Sequence, residues 1–455
     1  MRRVGRQDRD RERTKRDLRT WLVLGALVVA TAAVRVTIAA TVPLHRLVDP
    51  DTPGYLGPAL ALARHGRFSA GPNVPFTEFV RTPGYPLLLA GLDLVVGHSI
   101  RTLAVTQAVL SSFTAIGVFA LARRWWGNVA IALGAAAIAA FEPLQLWSAV
   151  QTLTESLSAA SYVVLALVAT WAAVSTSARR WAVVGAVVAV ATYIRPTTYY
   201  FPLVFAPALF VMVVRRATTH RLRAATACAL AFFVPCALLV GAWQWRNHHE
   251  VGSWRFSGVE ALNMFEYRAV AINASKAGKP FTQTRNLMVF FFDAEHRGER
   301  TGPYFDHMYD AGFRIVRDNP TTFLTTTARG TTTLVFGVNH VLLDTLGLDD
   351  GGGSPFTWLA EAGLLAFYAA TAVGAVWAVR RRHSDGPGAA HVLVALLVVY
   401  TVLAAGNPRA TARLRAPLMP LLCPYAAAGI AAIAHRVREA RTGARGGPAL
   451  VTAGR

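Results

Sequence analysis

"WLVLGALVVATAAVRVTIAATVPLHRLVDPDTPGYLGPALA", residues 21–61, joins a long apolar run to a segment with two carboxylates placed around a proline. The run over residues 21–42 can cross about 30 Å of hydrocarbon as a helix, which takes roughly 20 residues. Similar runs recur along the chain, so this one reads as a first span and not as a cleavable signal. Pro50 and Pro53 stiffen the exit from that span, so Asp49 and Asp51 project from a rigid segment at the bilayer surface. One reading of the segment is a helix-capping turn, with Asp51 or Thr52 at the start of a helix near Pro53. The other is a functional site.

Composition supports the membrane reading. Of 455 residues, 54% are hydrophobic and only 16% charged, too little charge to cover a soluble surface. The three cysteines, Cys228, Cys236 and Cys423, each lie in an apolar segment and form neither a disulfide framework nor a CxxC pattern. Apolar segments of spanning type run at about 21–42, 102–122, 127–141, 152–176, 181–194, 198–214, 224–245, 356–379, 389–405 and 416–434. The run "PGYPLLLAGLDLVVG", residues 83–97, is short and carries Asp93, and as a span it would invert every later segment. It is read as an interfacial helix. The expected fold is an all-α polytopic membrane protein of about ten transmembrane helices, with interfacial helices in its first outer loop.

Charge distribution orients the chain. The basic clusters are the N-terminal arm, Arg123 with Arg124, Arg179 with Arg180, Arg215 to Arg223, "RRRH" at 380–383 and the C-terminal tail. Together they hold 25 of the 46 Lys/Arg and 6 of the 25 acids, a net of +19 out of the total of +21. With residues 83–97 at the interface these clusters all fall on one side, which places both termini in the cytoplasm. The basic charge then signals orientation and contact with the lipid bilayer, and no nucleic acid partner is needed to explain it.

The expected organisation is a basic cytoplasmic arm (1–20), an N-terminal transmembrane core (21–245) with an outer loop at 43–101, a large outer region (246–355), C-terminal transmembrane helices (356–434) and a basic cytoplasmic tail (435–455). The outer loop holds a short amphipathic helix ending at Gly66 and the apolar helix 83–97. The outer region holds "MVFFFDAEH" and the helix-like "FDHMYDAGFRIVRDNP", stopped by Pro320, and "DDGGGSP" at 349–355 reads as a loop.

Polar residues near the outer ends of spans are the site candidates. Arg81 stands just before a proline-initiated interfacial helix. Arg35 lies inside the first span, where an arginine is costly unless it is functional or snorkels to headgroups. Glu155 in "QTLTESLSAA" is either an acid satisfied locally by Thr154 or Ser156 or a functional one. Arg195 in "YIRPTTYY" fits a broken-helix site as well as an interfacial belt. "AWQWRNHHEVGSW" supplies Arg246, Asn247, His248, His249 and Glu250. Adjacent histidines point to different faces and no HExxH spacing accompanies them, so no metal site is read there. "NPRATARLRAP", residues 407–417, adds Arg409, Arg413 and Arg415.

Taken together, these stretches resemble the GT-C superfamily of membrane glycosyltransferases. The resemblance rests on an acid four residues before Tyr55, the short helix ending in glycine, "RTPGYPLLLA" with Tyr85, "LTESL", "YIRPT", "WQWRN" and "RLRAPLMPLL", and runs from residue 21 to residue 434. It is nearest to the family 39-like and aminoarabinose-transferase-like branch, which uses polyprenyl-phosphate sugars. The resemblance implies that Asp51, which meets the D-x-x-x-Y spacing, is the catalytic base, with Asp49 and Glu155 in supporting roles. Arg81 falls where relatives carry a basic residue that holds the donor phosphate, although several of them have Lys-Pro-Pro or His-Pro-Pro where this chain has Arg81-Thr82-Pro83. Arg35, Arg195, Arg413 and Arg415 are the other candidates for that phosphate, and Tyr55, Tyr85, Arg246 and Asn247 complete the site list.

The implied chemistry fits these residue types. A base takes the acceptor's proton while cations stabilise the departing phosphate, with inversion at the anomeric carbon. Arginine supplies the positive charge, so neither a metal nor another cofactor is called for. The implied partners are a polyprenyl-phosphate sugar donor, mannose- or arabinose-like, and a glycan, lipid or protein acceptor. The competing reading is a polytopic transporter or flippase of lipid-linked sugars, which favours internal repeats and broken helices near mid-membrane. A non-catalytic scaffold is the third, and it predicts that Asp51→Asn leaves function intact.

Overall fold

In a computed structural model, residues 4–338, 343, 348, 354–380 and 388–443 are described. The expected loop at 349–353, most of the "RRRH" cluster and the end of the basic tail lie outside them. The described residues are helical apart from connecting segments and one isolated bridge, Ser69 to Thr77.

The first half runs α1 (Val4–Thr41), a single turn α2 (Leu44–Leu47), α3 (Thr52–His65), α4 (Gly84–Val96), α5 (Ile100–Ser112), α6 (Thr114–Trp126), α7 (Val129–Phe141) and α8 (Pro143–Val150). It continues with α9 (Glu155–Ala173), α10 (Ala178–Ile194), α11 (Phe201–Arg216) and α12 (Arg221–Val251). The outer region contributes α13 (Val259–Leu262), α14 (Val270–Ala277), α15 (Phe281–Glu295), α16 (Thr301–Asp318) and α17 (Pro320–Phe336), with a π-helical stretch Asn263–Ala269 before α14. The chain ends with α18 (Pro355–Arg380), α19 (Gly388–Ala405) and α20 (Met419–Gly443).

Each of the ten apolar runs is helical. Six stretches are long and apolar enough to span: Asp17–Thr41, Ile100–Trp126, Glu155–Ala173, Arg221–Val251, Pro355–Arg380 and Ala412–Arg441. A seventh arises if α7 and α8, bent by 52° where Glu142 precedes Pro143, form one broken span. The remaining expected spans are shorter helices: α10 has 17 residues, α11 has 16 and α19 has 18. The chain is a multi-pass membrane protein. Residues 83–97 form a short apolar helix, α4, of 13 residues.

The interior and the outer surface share one apolar character. Ala132, Ala135, Ala136, Ala139 and Ala140 bury one face of α7 in a core shared with α9, α10, α12 and α20, because small side chains let membrane helices approach closely. Leu230, Val234 and Leu238, at i, i+4 and i+8 of α12, are 57%, 46% and 67% exposed. An outward apolar stripe of that kind is stable against lipid and not against water.

Basic side chains from two of the clusters meet at one end of α9. Arg216 donates to the carbonyls of Ala173 (2.7 Å) and Val174 (3.0 Å) at the C-terminus of α9, and Arg180 donates to the Trp171 carbonyl at 3.2 Å. These cations meet the last-turn carbonyls a helix leaves unpaired. Trp21 of α1 meets Phe119 of α6, the helix that carries Arg123 and Arg124. The other end of α9 begins at Glu155, about 28 Å away for 19 residues at 1.5 Å each.

Candidate active site

Four helix ends deliver a cluster of charges. The Asp49–Asp51 turn enters α3, Glu155 opens α9, Arg195 caps the C-terminus of α10, and Arg413 lies in the 3-10 turn Ala412–Leu418 before α20. Arg81 comes from the loop before α4. Regular hydrogen bonding ends at each of these points, so the side chains can be aimed independently of a helix face.

The local turn separates the two aspartates. Asp49 Oδ1 accepts the backbone N–H of Asp51 at 2.9 Å, and the Asp49 N–H donates to the Thr52 hydroxyl at 3.0 Å. Asp49 thus closes the turn, while Asp51 occupies the N-cap position without using its side chain there. The capping role expected for Asp51 is not the one it plays. Its Oδ1 accepts from Arg81 at 2.9 Å and its Oδ2 from Arg413 at 2.6 Å.

Arg413 is the hub. Its Nη1 meets Asp49 at 2.9 Å, its Nη2 meets Asp51 at 2.6 Å and its Nε meets Glu155 at 3.2 Å. Glu155 also faces Arg195 at 3.4 Å, so arginines from two elements satisfy it, and not Thr154 or Ser156. The three carboxylates and three guanidinium groups sum to no net charge. Exposure singles out one acid: the Asp51 side chain is 34% exposed, against 18% for Asp49 and 2% for Glu155. Burial alone would raise the Asp51 carboxyl, but Arg81 and Arg413 outweigh it and hold it below its ordinary value of 3.8.

Arg81 is held from several sides. Its backbone N–H donates to the Glu78 carboxylate at 2.7 Å, its Nη1 donates to the Tyr55 hydroxyl at 3.2 Å, and its guanidinium lies 4.5 Å from the Tyr55 ring centroid. Burial pushes the Glu78 carboxyl up, while Arg81 and backbone N–H groups partly offset the rise. Glycines set the approach: a Cβ on Gly54 would lie 2.9 Å from Arg81 Nε, and one on Gly84 would lie 2.7 Å from the Tyr193 carbonyl. The start of α4 therefore rests directly on the end of α10, next to Arg195.

Tyr85 supports the cluster from behind. Its ring meets Tyr55 edge-on at 5.3 Å and its hydroxyl donates to Gln107 at 2.7 Å. Gln107 in turn donates to the Gln151 carbonyl at 2.6 Å, just before Glu155. Arg246 donates to the carbonyls of Glu78 and Phe68, and Asn247 to those of Arg255 and Phe256. Arg246 braces the segment that carries Arg81, Asn247 holds the turn that follows α12, and neither joins the cluster.

Arg35 and Arg415 are placed elsewhere. Arg35 donates to Ser111 (2.9 Å) and the Ala140 carbonyl (3.1 Å), and Arg415 to the carbonyls of Leu334, Val335 and Gly337. Both lie within electrostatic reach of Glu142, at the α7–α8 bend. Arg409 sits over the Phe281 ring. Two acids escaped the sequence reading. Glu142 is an acid between apolar runs, the same signal that marked Arg35, and Glu78 stands three residues before Arg81, the spacing of a turn.

Comparison with known proteins follows the same outline. Residues 80–243, from the Arg81 loop through most of α12, match the family model of dolichyl-phosphate-mannose-protein mannosyltransferases. The oligosaccharyltransferase AglB from Archaeoglobus fulgidus, solved with an inhibitory peptide and a dolichol-phosphate, superposes on 94% of this chain with a TM-score of 0.52 at 14% identity. The chain has the GT-C fold. A second structure of the A. fulgidus enzyme, tethered to an acceptor peptide, gives 0.52 at 13% identity over 92% of the chain.

The chain spans about half the length of those two structures, 52% and 50%. ArnT from Cupriavidus metallidurans bound to undecaprenyl phosphate aligns over 90% of this chain and 77% of its own, at 17% identity and a TM-score of 0.39. No protein of curated function matches the sequence. The family match includes Arg81, Glu155 and Arg195 and stops short of Asp51 and Arg413 on either side.

Proposed function

We propose that the protein is an inverting glycosyltransferase that moves a sugar from a polyprenyl monophosphate donor to a cell-envelope acceptor, with Asp51 as the general base. The observation that carries this reading is the single accessible carboxylate clamped by two guanidinium groups at the helix ends. The matched family model supports the sugar-phosphate class, and a mannose- or arabinose-like sugar is the preferred donor.

The mechanism follows from charge. The cluster is neutral without substrate, so it has no spare cation for a phosphate. A donor phosphate must compete with Asp51 for Arg81 and Arg413. Once an arginine turns to the phosphate, the carboxylate loses the partner that kept its proton affinity low, and it becomes a stronger base as the leaving group becomes better stabilised. Asp51 takes the proton of the acceptor hydroxyl, the acceptor oxygen attacks the anomeric carbon, and the bond to the phosphate oxygen breaks with inversion. Asp49 and Glu155 keep Arg413 oriented, and Arg195 screens Glu155.

The prenyl tail needs an apolar place within the bundle. A cavity of about 620 Å³ opens next to Arg415, lined largely by Ile38, Ile138, Phe141, Leu359, Leu364 and Phe367, and it suits an isoprenoid chain. The cluster lies at the opposite end of α9 from Arg180 and Arg216, which supports an active site on the outer face when the basic end is cytoplasmic.

The test is purified protein in nanodiscs incubated with a panel of polyprenyl-phosphate sugars and envelope acceptors. Transfer of a labelled sugar, with release of polyprenyl phosphate, supports the reading. Movement of intact donor between leaflets without product would replace it with lipid-linked sugar transport.

A further inference from the structure

The outer region holds a second group of chemically competent side chains that the proposed transfer does not use. α15 ends at Glu295 with His296 as its C-cap, Gly298 turns the chain at φ 85°, and α16 begins at Thr301. The turn returns the chain so that Glu299 and His307 meet His296. One ligand atom from each lies within 4.8 Å of the other two.

The geometry points to a transition-metal site, with Zn²⁺ as the preferred ion, formed by His296, Glu299 and His307. Four-coordinate zinc holds nitrogen and oxygen ligands at about 2.0–2.2 Å, so ligand atoms sit roughly 3.3 Å apart. His307 Nδ1 already lies 3.0 and 3.2 Å from the two oxygens of Glu299. The two imidazole rings are 5.2 Å apart, and a modest rotation of His296 completes the set.

Other features fit a site and not a chance meeting. The His296 ring packs edge-on to Phe292 at 4.1 Å, and Phe292 is buried in a small core with Phe265 and Met308, so one ligand is oriented by packing. The three residues open onto a hollow of about 500 Å³ that Asp310, Phe313 and Arg314 complete. Water can fill the fourth position from that side. Two imidazoles and one carboxylate favour zinc or its neighbours over magnesium or calcium, which prefer oxygen ligands.

The role that follows is a staple. The metal ties the end of α15 to the second turn of α16 and reinforces a hairpin that otherwise rests on the small core under Phe292 and the Tyr304–Asp293 hydrogen bond. None of the three residues hydrogen-bonds to the Asp51 cluster. Zinc occupancy and sugar transfer are therefore separate observables.

The experiment uses the full chain in nanodiscs, stripped with chelator and re-equilibrated with Zn²⁺ or Co²⁺. Metal content near one ion per chain is expected, with a tetrahedral Co²⁺ absorption spectrum. His307→Ala should weaken Zn²⁺ binding by at least about tenfold, the scale set by losing even an outer partner of a metal ligand, and should remove that spectrum. The His248→Ala/His249→Ala variant should bind as wild type. Binding should weaken as pH falls, because protons compete for the imidazoles. Wild-type protein with no stoichiometric metal would overturn the inference and leave a hydrogen-bonded His–Glu pair. An octahedral Co²⁺ spectrum would also overturn it, and that reading needs no variant to fold.

Discussion

Asp51 receives a guanidinium on each carboxylate oxygen, and that clamp has a kinetic signature. Its proton affinity is lowered in the substrate-free protein, so the group stays ionised well below neutrality. The acid limb of kcat/KM, which reports the free enzyme, is expected below pH 3.8, the ordinary value for this carboxyl. The limb of kcat, which reports the bound complex, should lie higher, because donor phosphate draws the arginines away. Measuring both profiles checks this, and coincident limbs would mean the clamp does not open. Stability carries the same sign. A lowered carboxyl stabilises the fold above its unfolded value and loses that contribution as pH falls through the folded one.

Gly54 gives a second residue-scale prediction. Alanine within a helix is ordinarily worth about 0.5–1 kcal/mol over glycine, but a Cβ here meets Arg81 Nε at 2.9 Å. Gly54→Ala is therefore expected to keep or raise thermal stability while lowering transfer on the order of 10- to 100-fold, the cost of small misplacement at a reacting centre. A melt alongside a turnover assay separates the two effects. At this scale the D-x-x-x-Y pattern of the resemblance favoured Asp51 over Asp49, and the structure gives the two different partners. The hub at Arg413 was recognisable only as one arginine of three in its stretch, because its partners are remote along the chain, Asp51 lying 362 residues away. Arg35 read as a site candidate because an arginine inside a span is costly, and here the Ser111 hydroxyl, the Ala140 carbonyl and the nearby Glu142 offset that cost.

At the scale of elements, hydrophobic runs gave the helices, and their breaks needed tertiary structure to interpret. The run at 102–122 is divided at Phe113 into α5 and α6, yet still counts as one span. The run at 127–141 ends at Glu142-Pro143, and only the structure shows that the chain bends there by 52° into α8. Docking of α4 on α10 is the element contact that most affects the cluster, because it sets Arg81 beside Arg195. In Gly84→Ala a Cβ would lie 2.7 Å from Tyr193 and 2.8 Å from Ile194 backbone atoms. The expected cost is about 1–3 kcal/mol of overpacking, with loss of activity, and Gly84→Ser should be no better. Thermal unfolding of the purified variants checks it, and unchanged stability would show that the two helices have room to separate.

For the whole molecule, the separation of charge along the bundle axis makes orientation testable. Asn73 lies exposed in the loop between α3 and α4, on the side of the Asp51 cluster, and Arg124 is exposed at the basic end. The native cysteines Cys228, Cys236 and Cys423 are buried and free, so background labelling is low. An impermeant maleimide applied to intact cells is expected to label Asn73→Cys and spare Arg124→Cys. The reverse pattern would put the cluster in the cytoplasm. The sequence made this polarity readable through its basic clusters, whereas the length of α9 between the two ends is a property of the folded bundle.

The most direct measurement compares wild type and Asp51→Asn for donor binding and for single-turnover transfer of a polyprenyl-phosphate sugar. Asp51→Asn is expected to bind donor at least as tightly, since its arginines are freed for phosphate, and to transfer about 10²- to 10⁴-fold more slowly, the usual contribution of a positioned base. Equal transfer rates in the two proteins would contradict Asp51 as the base.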